Sequence, residues 1–195
     1  MSGVVNQAGS RSGVVGHMAD AVMLKRDVAS GSPWVCTSVF RPEFKTYEVR
    51  FHAMKMAGDD VQLRMQFSID NGSSWVTGSN YDSQVCATQN GSVGVPINLD
   101  DSSYATVGGF GNQGAAGNEG SAGSIWFYDP MNPTARKNGF NQWVIHQYNT
   151  EMSVAIGSFS LETSDPQNAF KLYPSSGDFD TSSANYNQVS VWGYR

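Results

Sequence analysis

Charge is scarce in this chain. Lys and Arg number 12 and Asp and Glu 17, so charged residues make up 15% of 195, against roughly 25% in an ordinary soluble domain. A chain so poor in Lys and Glu lacks the usual surface material of long helices. No basic run occurs: Lys25-Arg26 and Arg136-Lys137 are isolated pairs in a chain of net charge -5. That balance gives no footprint for nucleic acid. No run of about 18 apolar residues exists, so no membrane-spanning helix is expected. The start of the chain has no charged stretch followed by an apolar core, so no secretory signal is expected either. Cysteine is nearly absent. Cys36 and Cys86 have neither metal-ligand nor redox spacing, and both read as buried thiols in strands, with a disulfide as the lesser alternative.

What is abundant is Gly, at 21 residues, with aromatics at 12%. Together with many Ser and Asn, this composition fits short strands joined by turns. The clearest strand is Val61–Ile69. Val61, Leu63, Met65, Phe67 and Ile69 alternate with Gln62, Arg64, Gln66 and Ser68, which gives one apolar and one polar face. Asp70-Asn71-Gly72-Ser73 follows. Asp and Asn bond the local backbone and Gly accepts positive φ, so a hairpin returning through Trp75-Val76 is expected.

Further strands are expected at Trp34–Phe40, Tyr47–Ala53, Tyr81–Ala87, Phe140–Tyr148, Val154–Leu161, Ala169–Tyr173 and Gln188–Tyr194, with short pieces inside Ser92–Leu99 and Tyr104–Val107. Ser124–Tyr128 is apolar on both faces and should be central. About nine or ten strands with this turn spacing predict an all-β antiparallel sandwich over residues 33–195. Residues 1–32 differ. Val4, Val5, Asn6, Gln7, Arg11, Val14 and Val15 lie in a small, Gly- and Ser-rich stretch that buries too little by itself to offset its ordering entropy. An N-terminal arm that docks on a partner or another subunit is expected there. Met18–Arg26 holds good helix formers and predicts a short turn of helix.

Catalytic chemistry is hard to find. The histidines His17, His52 and His146 are far apart and form no zinc spacing. No Gly-x-Ser-x-Gly elbow or phosphate loop occurs. Asp59-Asp60 and Asp100-Asp101 offer loop oxygens for calcium, although solvated turns are the plainer reading. No carboxylate pair stands out. The chain therefore reads as a non-enzyme without a cofactor. Trp75, Trp126, Trp143, Trp192, Tyr81, Tyr128 and Tyr148 have the chemistry of a sugar platform, but aromatics at strand spacing are mostly core. Tyr81, Tyr104 and Phe110, placed in loops by this reading, are the candidates for ligand contact.

Two resemblances bear on function. Ser68-Ile69-Asp70-Asn71-Gly72-Ser73-Ser74-Trp75 resembles the Asp-box of sialidase propellers. Ser68, Asp70, Gly72 and Trp75 are its framework, and with one copy and no arginine cluster the motif reads as a structural hairpin rather than a glycosidase. The second resemblance covers roughly residues 34–195. Phe170–Phe179, the ending Val189-Ser190-Val191-Trp192-Gly193-Tyr194-Arg195, the Tyr47–Phe51 strand, Phe67–Trp75 and Gly123–Pro130 together resemble a diverse group of bacteriophage virion proteins of the tail-fibre-like or structural kind. Asn6–Gly16 also resembles the start of some phage structural proteins. The resemblance implies a jelly-roll-like (concanavalin-like) sandwich, no catalysis, and assembly on the virion with other virion proteins. A homo-oligomer is expected, with a trimer among the options. A capsid head decoration protein is one alternative. The other is a carbohydrate- or receptor-binding module that takes a host surface glycan. The stretch Asp178–Asn187 is longer than the pattern has it.

Overall fold

The computed structural model describes residues 21–89, 92–93, 97–108, 120–146, 152–183 and 185–195. The described residues contain strands and no helix. The strands are β1 (Ala21–Val28), β2 (Trp34–Cys36), β3 (Thr46–Met54), β4 (Leu63–Ser68), β5 (Tyr81–Gln89), β6 (Ser92–Val93), β7 (Ile97–Ser102), β8 (Ala105–Gly108), β9 (Gly120–Tyr128), β10 (Lys137–His146), β11 (Met152–Leu161), β12 (Ala169–Pro174) and β13 (Gln188–Tyr194).

They form two antiparallel sheets. The large one runs β1-β13-β3-β9-β10-β11-β5, and both β6 and β7 pair with the outer edge of β5. The small one runs β2-β12-β4-β8. Neither closes into a barrel. The expected sandwich is present, and β9 is central, flanked by β3 and β10.

The sheets meet through aromatic side chains. Phe127 of the large sheet touches Phe67 and Phe170 of the small one, with ring centroids at 5.5 and 5.0 Å. Phe40, from the loop after β2, lies 5.5 Å from Phe127 and 5.6 Å from Phe170. At the far end, the Trp143 indole N–H donates to the Val107 carbonyl at 2.6 Å and ties β10 to β8.

Three expectations need correction. First, Met18–Arg26 is not a helical turn where it is described, because β1 is an edge strand paired along β13 from Ala21↔Tyr194 to Val28↔Gln188. Val22 and Leu24 pack on the core from there. A free sheet edge and a place for two apolar side chains outweigh helix propensity. Residues 21–28, placed within the arm by sequence, are thus part of this chain's own sheet. Second, the strand from Trp34 stops at Cys36, and Ser38 takes φ 52° to turn the chain. Third, Trp75-Val76 returns to β4 through one backbone bond only, from the Val76 N–H to the Phe67 carbonyl at 2.8 Å, and forms no strand. After the turn the chain crosses from the small sheet to β5 in the large one.

Candidate binding face

The turn that resembles an Asp-box is built as its residue types suggest. The Asp70 carboxylate accepts from the Ser74 hydroxyl at 2.5 Å, the Ser74 N–H at 2.8 Å and the Ser68 hydroxyl at 2.7 Å. These bonds, with the Ser74 hydroxyl foremost, hold its pKa down to about 2. The Ser68 hydroxyl also accepts from the Gly72 N–H at 2.8 Å. Gly72 sits at φ 90°, and a Cβ there would lie 3.2 Å from Thr37 and 3.6 Å from Trp75. Asn71 links the turn to both neighbouring loops: its side-chain oxygen accepts from the Ser38 N–H, and its own N–H donates to Asn168. The Asp70, Ser68 and Ser74 bonds close the turn on itself, and the Asn71 bonds tie it to its neighbours. This is a structural knot.

Tyr81 stands where the second bond between Phe67 and Val76 would form, beside the Val76 N–H to Phe67 carbonyl bond, and it requires a correction. It is fully buried rather than free for ligand. Its hydroxyl accepts from the Phe67 N–H at 2.9 Å and donates to the Val76 carbonyl at 3.2 Å. The Phe67 donor that a return strand would have bonded is therefore taken by a side chain. Burial raises the hydroxyl's pKa far above its ordinary value. Tyr104 is half-buried, with the Arg64 guanidinium 4.0 Å from its ring centroid. Phe110, His17 and the arm residues Val4, Val5, Asn6, Gln7, Arg11, Val14 and Val15 lie outside the described residues. Cys36 is buried and Cys86 exposed, both as free thiols. The expectation that both are buried fails for Cys86, because β5 turns it to the outer face. Burial pushes the Cys36 thiol up to about 12. No group of three or more His, Cys, Asp or Glu among the described residues is placed to hold a metal.

The residues with chemistry to spare are on the outer face of the large sheet. Trp126, Trp192 and Tyr194 project there, half-buried, from β9 and β13. Trp126 and Tyr194 lie 5.5 Å apart, ring to ring. Between these aromatics sits an ion pair from β3, with Arg50 Nη2 2.6 Å from Glu48 Oε2. The Tyr194 hydroxyl donates to Glu48 at 2.5 Å and accepts from Arg50 at 3.0 Å. Burial first, and the bond to Glu48 second, raise its pKa to about 12. Arg50 also lies 5.1 Å from the Trp192 ring centroid. Glu48 is buried, and a buried pair needs further hydrogen bonds to offset its desolvation; the Tyr194 hydroxyl supplies one to Glu48 and accepts one from Arg50.

Toward the opposite edge the face changes character. Val144 faces Val154, and Gln142 faces Ile156, in the β10–β11 register. Val144, Val154, Ile156 and Met152 are 48%, 45%, 51% and 59% exposed. Scattered exposed apolar residues are ordinary, but a contiguous patch marks an interaction surface. Over its first half β11 turns Met152, Val154 and Ile156 outward and buries Ala155 and Gly157, while Phe159 and Leu161 further along face the core. A Cβ on Gly157 would lie 2.8 Å from the Gln84 carbonyl, so the inner side accepts only small residues at that point. Beyond this row a polar groove of about 440 Å³ opens among Asp82, Gln84, Asp100, Asn138, Ser158 and Ser160. A shared hydrogen bond with Asp82 raises the Asp100 pKa.

No protein family, curated protein or solved structure matches this chain.

Sequence reasoning favoured loop aromatics and set Trp126 and Trp192 aside as core. The signal it had was strand parity. Trp126 alternates with Ile125 and Phe127, and Trp192 with Val191 and Gly193, so each had to face away from its buried neighbours.

Proposed function

We propose that this chain is a non-enzymatic structural protein of a bacteriophage virion, of the tail-fibre or tail-associated type, and that it assembles with further copies of itself. The observation that carries the assembly is the uncharged apolar row of Val144, Val154, Ile156 and Met152 on the outer face. On its outward side, β11 from Met152 to Ser160 has no Asp, Glu, Lys or Arg, and β10 from Asn138 to His146 has none either. A strip without charge matches itself, whereas a partner of opposite charge would leave charged positions to meet it. Covering side chains that are already about half-buried is worth roughly 3–6 kcal/mol per subunit.

The virion assignment draws on the resemblance of residues 34–195. Its C-terminal signature has a physical reason in the fold. Gly193 is required because a Cβ there would lie 2.8 Å from Phe44 and 3.0 Å from Leu24, so this ending is fitted to the packing of β1 on the core. The finer topology in this reading is jelly-roll-like (concanavalin-like), supported by the first and last strands lying side by side in the large sheet. Residues before β1 are the tether to other virion proteins.

Mass spectrometry of purified particles, followed by immunogold labelling, tests the assignment. The protein is expected in the particle with gold on the tail. Gold spread over the capsid lattice would instead favour a head decoration protein. Absence from the particle would end the virion reading.

A further inference from the structure

We infer that the groove over β13 on the outer face is a binding site for an acidic sugar, that is, a pyranose ring carrying a carboxylate. The groove encloses about 220 Å³ and is lined by Met23, Arg26, His52, Gln188, Ser190 and Trp192. That is below the roughly 300–1,000 Å³ of a drug-sized site and suits a single ring. Arg26 and His52 flank it from β1 and β3, Gln188 and Ser190 form its floor, and Trp192 stands at one end.

Charge selects the anion. Arg26 is exposed and has no ion-pair or hydrogen-bond partner among the described residues. Its neighbour Asp27 is engaged elsewhere, 3.3 Å from Lys25 Nζ and 3.1 Å from the Trp34 indole nitrogen. Glu48, the nearest carboxylate on β3, is held by Arg50. No Asp or Glu lines the groove, so it presents an uncompensated guanidinium in a chain of net charge -5. Guanidinium and carboxylate match in a two-pronged geometry.

The remaining lining selects a sugar over a bare anion. Trp192 offers an aromatic surface for the C–H face of a ring. It is fixed in advance, because its indole N–H donates to Ser190 Oγ at 3.0 Å and Arg50 lies over its ring. A platform set before the ligand arrives reduces the ordering cost of binding. Gln188 and His52 present side-chain donors and acceptors to ring hydroxyls.

Binding here is a property of the isolated chain, whatever particle carries it. The test is a titration of the ¹⁵N-labelled full chain with D-glucuronate and D-galacturonate, each paired with its uncharged carboxamide. The Trp192 indole N–H signal should move saturably with at least one acid. The matching amide should bind at least about tenfold more weakly, equivalent to 1.4 kcal/mol. Arg26→Gln, a change at an exposed site, should erase that difference while leaving the signals of the free protein in place. Gln188→Ala should weaken both members of the pair. No saturable movement with either acid would overturn the inference. So would equal binding of acid and amide, an unchanged preference in Arg26→Gln, or movement of the Trp75 or Trp126 indole in place of Trp192.

Discussion

Replacing Tyr81 by Phe removes one oxygen and leaves the ring in place. In the folded protein that oxygen bridges the Phe67 N–H and the Val76 carbonyl, at 2.9 and 3.2 Å. Phe67 is 1% exposed, so in Tyr81→Phe its N–H has no water to turn to, and an orphaned buried donor costs about 1–3 kcal/mol. Val76 is only half-buried and its carbonyl can be solvated, which adds little. The total is about 1–3 kcal/mol. A chain of this size loses roughly 2–4 °C in Tm per kcal/mol, so the drop should be about 2–12 °C. Thermal and urea unfolding measure it. Amide hydrogen exchange should show protection lost at Phe67 first, with the centre of β9 unaffected. A loss under about 0.5 kcal/mol with the Phe67 amide still protected would refute the claim that this hydroxyl takes the place of the second Phe67–Val76 backbone bond.

Other outcomes follow from the same packing. Phe127→Ala, at the meeting point of Phe40, Phe67, Phe159 and Phe170, should cost about 3–5 kcal/mol in urea unfolding. Gly139→Ala would place a Cβ 1.9 Å from the Phe159 ring and 2.4 Å from the Trp126 carbonyl, and should lose at least about 1–3 kcal/mol through overpacking, read as a lower thermal midpoint. Asn141 is fully buried with neither amide atom paired; Asn141→Leu should raise the midpoint, since removing both orphans relieves their desolvation. The Asp70 pKa is depressed to about 2, so its contribution to stability is present above the ordinary carboxylate value near 3.9 and lost as pH falls toward 2. Acid unfolding followed by circular dichroism should show that component in the wild type and not in Asp70→Asn.

The sequence carried the sandwich because alternation is a local property. The Leu63–Phe67 part of β4 and β10 could be read from their side-chain parity, β9 from its continuous apolar run, and the Asp-box turn from its residue types. Three things were not local. β1 is a strand because β13 offers a free edge and the core has room for Val22 and Leu24, and neither fact is visible in Ala21–Val28 itself. Tyr81 was legible as the start of a strand but not as a buried residue, because the Phe67 amide that its hydroxyl bonds belongs to the other sheet. Parity also separates two faces without saying which one is buried. In β11 the larger residues Val154 and Ile156 look like core, yet the space opposite Gln84 and Val85 admits only Gly157. The outer face, with its apolar row and its aromatic cluster, therefore became visible only when the strands were set side by side.

Sedimentation equilibrium of the full chain across a range of concentrations, beside Ile156→Lys, tests the assembly face most directly. Ile156 is 51% exposed, so the variant subunit should keep its fold, read as an unchanged circular-dichroism spectrum, and should lose only the stability that assembly adds. The account predicts a discrete oligomer for the wild type and a monomer for the variant. A wild type that stays monomeric at every concentration, or a variant that assembles as well as the wild type, would contradict it.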